Sequence, residues 1–424
     1  LCAAAACALG FGLTYYGQVS NLDVPYLFWA CLSLLWCMRA VVERAPRRFW
    51  GAALLAAAAV ATKDQAYALF LLAAPVLLAL WFATDAWPRH NARAVLAPLL
   101  SAALMALLAL LLVDGAITNP GGFIKRVAFL TGPASQDYAE YVHGPAGWLA
   151  LLADMIAYFT HGYGLVVVTL AVLGVVVHVR QTRGALRAAG LLPLLAIVSF
   201  TLCFNFAALR TDDRFLLPQG VLACFYIGIA AARLAFAANR WMTLAGRALL
   251  ALVALFALHQ AMAVDAVMLF DPRYDAEAWM RAHVRPGDTI ETYGQNCFLP
   301  RFPPMARVSR VGQGDLKVRN PLPGVTELKE PFGAPRHPRY IVASGVWIRR
   351  YLIPPRPLLP GRVYSPIQQA EFRDADARGF FAALESGQSG YRLMHVARFR
   401  SRIWPQVAIH DSLGEPIGIY ERAP

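Results

Sequence analysis

The sequence predicts an α-helical polytopic membrane bundle of about nine transmembrane helices, followed by a small α/β domain outside the cytoplasm. Of the 424 residues, 58% are hydrophobic and only 15% are charged, whereas soluble proteins average about 45–50% and 25%. The excess lies in apolar blocks before residue 270, and the remainder has an ordinary polar composition. We therefore predict a transmembrane domain over 1–270 and an extracytoplasmic soluble domain over 271–424.

The apolar blocks divide into nine predicted spans, since a helical crossing needs about 20 mainly apolar residues. They lie at roughly 1–16, 25–40, 49–62, 66–83, 95–113, 163–179, 189–208, 216–234 and 248–269. The third is short, and either runs on through Lys63 or ends as a broken helix inside the bundle. Residues 147–160 are predicted as an interfacial or re-entrant helix. The chain begins inside an apolar run, LCAAAACALGFGLTYY, so we expect part of the bundle to precede it.

Arginine in alternate loops predicts the orientation of the bundle, because cytoplasmic loops are enriched in Lys and Arg. Twelve basic residues lie in one set of loops, at 39–48, 89–93, 180–187 and 233–247, and the other set carries five. The first set is therefore predicted to be cytoplasmic, which places the tail after residue 270 on the outer side. This asymmetry accounts for much of the net charge of +13, and no nucleic-acid partner is required.

The polar tail has the pattern of a small α/β domain, with short strand-like and helical segments in alternation. Strands are predicted at TIETYG (289–294), RYIVASG (339–345), YRLMHVARF (391–399) and IGIYER (417–422). Helices are predicted at 274–284 and 379–385. Cys297 is the only one of the seven cysteines in this region, so the domain has no internal disulfide.

The predicted outer loops carry a set of charged residues that could bind or transform a substrate. The set comprises Asp23, Lys63, Asp64, Asp212, Asp213 and Arg214. A carboxylate and two cations on one face of a bundle, at the depth of lipid phosphates, suit a lipid-linked phosphate. Lys and Arg neutralise phosphate oxygens, and a carboxylate can accept a proton from an attacking hydroxyl or amine.

Each of these residues also has a structural explanation that the sequence leaves open. Asp23 could cap a helix and compensate its dipole. Lys63 could extend its ammonium group to the membrane surface, and Arg214 could anchor an interfacial helix end. Asp212 and Asp213 could be acidic loop residues that are simply exposed to solvent.

Three stretches, in order, resemble the GT-C superfamily of membrane glycosyltransferases. The most similar branch is glycosyltransferase family 39, which holds dolichyl-phosphate-mannose protein mannosyltransferases and bacterial aminoarabinose-transferase-like enzymes. SNLDVPYLFW (20–29) resembles an outer-loop Asp leading into a span. FWGAALLAAAAVATKDQAYALF (49–70) is similar to an apolar helix ending at a Lys, and RTDDRFLLP (210–218) to an Arg-aromatic-Leu-Leu-Pro signature. The tail segment 271–294 is similar to the outer domain of bacterial members.

The resemblance implies that Lys63 contacts the phosphate of the lipid donor and that Arg214 does so too or binds an acceptor group. It implies that Asp23 helps to form the donor site, and Asp64, Asp212 and Asp213 are assigned to the donor or acceptor site. The family's main catalytic acid lies in an outer loop after the first span, and no segment here fits that loop. The catalytic residue is therefore expected upstream, and the chain as given would lack it.

The expected function is transfer of a hexosyl or pentosyl group from a polyprenyl-phosphate-linked sugar to an acceptor lipid, glycan or protein. The expected location is the extracytoplasmic face of the cell's inner or plasma membrane. No cofactor is required by the sequence, although a divalent metal is compatible with it. The alternative functions are those of a transporter or flippase and of a membrane sensor or structural protein. Coupled transporters usually carry charged residues within their spans, and here such residues lie near the span ends.

Overall fold

The computed structural model describes residues 2–132, 136–311, 323–332, 334, 336–353, 358–401, 403–407, 409–410 and 412–423. Contacts divide the chain into two compact units. The helical unit comprises Leu1–Ala261 and Leu359–Val363, and the sheet unit comprises Met262–Leu358 and Tyr364–Pro424. The sequence places the boundary after residue 270, whereas the contacts place it after Ala261, because the end of the last apolar helix belongs with the sheet unit.

The helical unit contains twelve numbered helices, the first part of a thirteenth and several short turns among its described residues. The helices are α1 (Cys2–Ala8), α2 (Phe11–Tyr16), α3 (Asp23–Val42), α4 (Arg48–Thr62), α5 (Ala73–Thr84), α6 (Ala86–His90), α7 (Ala92–Val113), α8 (Pro120–Thr131), α9 (Pro145–Tyr163), α10 (Leu165–Gln181), α11 (Gly184–Phe200), α12 (Leu217–Ala235) and α13 (Arg240–Leu269). A 3₁₀ helix, Asp64–Leu69, leads into α5, and a π-helical turn, Thr201–Asn205, follows α11. A short helical turn, Phe206–Ala208, and a 3₁₀ turn, Arg214–Leu216, precede α12.

Six helical stretches within the described residues are long and apolar enough to cross a membrane, as expected of a membrane protein. They are Asp23–Val42, Asp64–Thr84, Ala92–Val113, Gly184–Ala208, Arg214–Ala235 and Arg240–His283. A seventh results if α9 and α10 are counted as one span. The predicted number of nine is not confirmed, because the first predicted span is divided between the short helices α1 and α2 and because α4 has only 15 residues.

A sharp bend separates α9 from α10, whose axes meet at 109°. Gly164 lies at the junction with φ +80°, a left-handed backbone conformation that favours glycine. The pair is therefore either a broken span or a re-entrant loop. The second of these corresponds to the prediction of an interfacial or re-entrant helix at 147–160.

At Gly174, the backbones of helices α10 and α12 lie close together. A Cβ atom at this position would lie 1.9 Å from the carbonyl oxygen of Tyr226. The Tyr226 hydroxyl in turn donates to the Gly190 carbonyl of α11 over 2.9 Å. Three helices therefore meet around one small residue and one tyrosine.

Replacing Gly174 by alanine is expected to destabilise the helical unit by about 1–3 kcal/mol, because α10 and α12 must separate to admit the methyl group. Gly121→Ala is the matched control, since its Cβ would meet no atom within 4 Å. Thermal unfolding in detergent should show a lower midpoint for Gly174→Ala and an unchanged or slightly higher one for Gly121→Ala. Equal midpoints would contradict the close packing.

The described residues of the sheet unit form a six-stranded mixed sheet in the order β3-β2-β1-β4-β6-β5. Its strands are β1 (Thr289–Tyr293), β2 (Arg307–Val311), β3 (Val325–Leu328), β4 (Tyr340–Ser344), β5 (Tyr391–Ala397) and β6 (Ile417–Arg422). The first four are parallel, and β6 pairs antiparallel with both β4 and β5. Its helices are α14 (Pro272–His283), α15 (Gly345–Leu352), α16 (Pro366–Arg373) and α17 (Ala375–Glu385).

The predicted α/β composition of this unit is confirmed in outline. All four predicted strands and the helix at 274–284 are present, and the helix predicted at 379–385 is the second half of α17. Strands β2 and β3 were not predicted. The central strands β1 and β4 are buried almost throughout, as parallel strands covered on both faces usually are.

Candidate functional site

A buried ion pair between Asp23 and Lys63 lies at the centre of the candidate site. Asp23 begins α3 and has no exposed surface. Lys63 follows α4 on extended backbone, and its ammonium group donates to Oδ1 of Asp23. Gln65 Nε2 donates to the same oxygen over 3.2 Å and also lies 3.1 Å from the hydroxyl of Tyr26. Side chains from α3 and from the α4–α5 connection therefore meet at one carboxylate.

These contacts bear on the interpretations that the sequence left open, and Asp23 keeps a first-turn position from which a carboxylate compensates the helix dipole. The Asp23 carboxylate makes no capping bond, because Leu22 occupies the N-cap position. The Lys63 ammonium is bound by Asp23, and the side chain is only 22% exposed. Both residues are thus in the interior of one polar cluster.

Asp23 and Lys63 each keep hydrogen-bonding groups that have no partner in the described part of the chain. Asp23 Oδ2 is buried and has no hydrogen-bond partner there. An ammonium group has three N–H donors, and Asp23 takes one from Lys63. Burial lowers the pKa of Lys63, and the charge and hydrogen bond of Asp23 act in the opposite direction.

The segment 210–215 supplies the second cation. The Arg210 and Arg214 guanidinium carbons lie 4.1 and 4.6 Å from the ring centroid of Phe215. Arg214 Nε is buried without a hydrogen-bond partner among the described residues. Both Arg214 and Asp212 interact electrostatically with the Lys63 ammonium. Lys63 is therefore bound to Asp23 and lies within electrostatic range of Arg214.

Asp212 and Asp213 are neighbours in sequence but differ in their contacts. The Asp212 carboxylate accepts the backbone N–H of Phe215 over 2.9 Å and so fixes the turn that leads into α12. Asp213 instead lines a small cavity beside Tyr158, Tyr163 and other residues. Burial, and secondarily the charge of Asp212, raises the pKa of Asp213 to about 7.

Asp64 does not join the Asp23–Lys63 cluster. Its Oδ1 accepts from Arg126 Nη2 over 2.7 Å, and Arg126 Nη1 lies 3.3 Å from Asp114. This network links the start of the 3₁₀ helix to α8 and to the end of α7. Asp64 is therefore engaged elsewhere, although it follows Lys63 directly.

Sequence reasoning did not single out Gln65 and Tyr26. Tyr26 lies three residues after Asp23, on the same face of α3, so helical spacing could have identified it. Gln65 is a polar residue at the start of an apolar span, which is another usable signal. Nothing in the local sequence connects Arg126 with Asp64, since 62 positions separate them.

The described residues contain no group of three or more His, Cys, Asp or Glu side chains arranged to hold a metal ion. The polar groups of the site are instead two cations, Lys63 and Arg214, and the carboxylate of Asp23, which accepts from Lys63. This donor set suits an anionic ligand better than a metal.

No family model, no curated protein and no solved structure matches this chain. The family resemblance carried by the three sequence stretches thus remains an expectation.

Proposed function

We propose that this protein is a membrane glycosyltransferase that moves a sugar from a polyprenyl-phosphate donor to an acceptor on the extracytoplasmic face. The observation that carries the proposal is the cluster of Lys63, Arg214 and buried Asp23, built from three separate parts of the helical unit. Two cations with unused donors next to apolar helices fit a phosphate that is attached to a lipid chain.

The proposed role of Lys63 and Arg214 is to stabilise the charge that develops on the departing lipid phosphate. The Lys63 ammonium has two donors left after its bond to Asp23, and the Arg214 Nε has no other partner in the described chain. Donors already aimed at a developing charge lower the barrier more than donors that must reorient. Asp23 and Gln65 hold Lys63 in place, which makes them positioning residues.

The proposed location is the inner or plasma membrane, with the sheet unit on the extracytoplasmic side. The distribution of arginine among the loops supports this orientation. A lipid-linked donor fits that compartment, because nucleotide sugars are not expected there. The proposed acceptor is a lipid, a glycan or a protein.

The bent α9–α10 pair favours a second candidate, a transporter or flippase, because broken helices often form the binding sites of transporters. In that case the cluster would bind a phosphate without breaking its bond to the sugar. Movement of a labelled lipid-linked sugar across proteoliposomes, with no transfer to any acceptor, would identify this alternative.

The test is a transfer assay on the full chain in proteoliposomes with a radiolabelled polyprenyl-phosphate sugar and candidate acceptors. Lys63→Ala and Arg214→Ala are each expected to lower the transfer rate by about 10²–10³-fold. Lys125→Ala is the matched control, since Lys125 is exposed on α8, and it should leave the rate unchanged. Undiminished transfer in both variants would remove the site assignment.

A further inference from the structure

Two cysteine thiols from different helices of the helical unit form a hydrogen bond with each other. Cys7 lies in α1 and Cys224 lies in α12. Cys224 is almost fully buried, whereas Cys7 is half-buried. The Cys224 thiol also donates to the carbonyl oxygen of Gly220 over 3.3 Å. The proposed phosphate site uses neither thiol.

The backbones of α1 and α12 touch close to this pair. A Cβ atom on Gly228 would lie 2.7 Å from the Cβ atom and 2.9 Å from the backbone nitrogen of Ala3. Cys7 follows Ala3 by four residues and Cys224 precedes Gly228 by four, so each cysteine lies about one helical turn from the contact. A disulfide requires two Cα atoms within about 7 Å of each other. Helices in backbone contact bring facing residues into that range.

A third thiol, that of Cys31 in α3, lies near the pair. It interacts electrostatically with Cys7 and with Cys224. Within the described part of the chain, the three thiols do not form a group arranged to hold a metal ion. Formation of a disulfide therefore suits this arrangement better than a thiolate metal site, and Cys31 is the nearby thiol that could compete for Cys7.

An apolar cavity lies beside the same two helices and has a volume of about 250 Å³. Its lining includes Cys2, Ala5, Ala6 and Leu9 of α1 and Ile227 and Ala231 of α12. The other lining residues belong to the helical unit as well, and the lining contains no Lys, Arg, Asp or Glu. A neutral, lipid-soluble molecule can therefore approach the half-buried Cys7 from this cavity, whereas a charged one would lose its hydration there.

We propose that Cys7 and Cys224 form a reversible disulfide that links α1 to α12. The two thiols lose two protons and two electrons, and one S–S bond forms between their sulfur atoms. A neutral two-electron oxidant of the diazene or quinone class takes up both protons and both electrons and becomes a hydrazine or a hydroquinone. The Cys224 thiol gives up its bond to Gly220 in this step, and a thiol reductant reverses it. The disulfide does not depend on the proposed transfer of sugar.

The test treats the full chain in proteoliposomes with diamide, a membrane-permeant diazene. Mass spectrometry of chymotryptic peptides without reductant should find the Cys7 peptide joined to the Cys224 peptide, with the loss of two hydrogen atoms. Dithiothreitol should release both peptides. The oxidised protein should unfold at a higher temperature than the reduced protein, because a cross-link restricts the unfolded chain.

Substitutions at single cysteines assign the product to this pair. Cys7→Ser and Cys224→Ser should each abolish it, and Cys7→Ala and Cys224→Ala should give the same loss. Cys37→Ser is the matched control, since Cys37 lies on α3 away from the pair, and it should leave the product unchanged. The reduced variants should unfold at the temperature of the unaltered protein, which shows that a missing product does not result from a lost fold.

Three results would overturn the proposal. In the first, both thiols are alkylated as completely after diamide treatment as before it. In the second, Cys7 is joined to Cys31 instead of Cys224. In the third, the product persists in Cys7→Ser, which would show that Cys2 on the same peptide is the reacting thiol. Loss of sugar transfer alone leaves the disulfide standing, so the two proposals fail separately.

Discussion

Lys63→Met is expected to destabilise the helical unit by about 3–5 kcal/mol, because it leaves a buried carboxylate without its cation. Asp23 has no exposed surface, and among the residues that the structure describes Gln65 would be the only remaining donor to Oδ1. Asp23→Asn should cost less, since the partly exposed Lys63 can extend its ammonium group towards water. The measurement is the unfolding midpoint of each variant in mixed detergent micelles.

The double variant Asp23→Asn with Lys63→Met separates a structural from a functional role of the pair. Removing both charges should recover most of the lost stability, because no unpaired charge stays buried. Sugar transfer should stay absent, since the proposed phosphate contact is missing. Recovery of transfer together with stability would show that the pair only holds helices together. Equal destabilisation by both single variants would contradict the burial asymmetry.

Arg336→Leu is expected to destabilise the sheet unit by about 3–5 kcal/mol for the same physical reason. Arg336 binds Glu291 of β1 through Nε and Nη2 at 2.7 and 2.9 Å, and Glu291 is almost fully buried. Tyr293 also donates to this carboxylate, but a neutral hydroxyl cannot replace a bidentate guanidinium group. The carboxylate would therefore lie unpaired within the central strand.

Arg339→Leu is the matched control for this prediction. Arg339 contacts Asp288 and Glu421 but is 39% exposed, so its loss should cost under about 1 kcal/mol. Hydrogen exchange on peptides from β1 and β4 of the full chain should become faster in Arg336→Leu and stay unchanged in Arg339→Leu. Similar protection in the two variants would show that the Glu291 pair contributes little.

Local composition was sufficient for the coarse architecture. Apolar blocks predict membrane helices because a helix in lipid must satisfy its own backbone and present apolar side chains. The four strands predicted in the tail were found for a similar reason, since β-branched and aromatic residues concentrate in them. The number of membrane spans was harder to predict, because the length of an apolar block does not show where a helix breaks.

Strands β2 and β3 show where local patterns fail. The sequence of β2, RVSRV, carries two arginines, and Arg310 suggests a solvated segment. In the structure Arg310 is buried, and its guanidinium group binds Glu327 of the neighbouring β3 over 2.6 Å. A charge can be buried when its partner is aligned with it across the sheet, and that alignment is a property of the assembled strands.

The sequence by itself determined a membrane protein with a polar α/β region after its last apolar block, and it named Asp23, Lys63 and Arg214 as a site. Only the tertiary structure decided which charges meet. Asp23 and Lys63 are 40 positions apart and form a pair, whereas Asp64, next to Lys63, binds Arg126. Hydrophobic periodicity is encoded locally, but the pairing of charges depends on which helix ends the fold brings together.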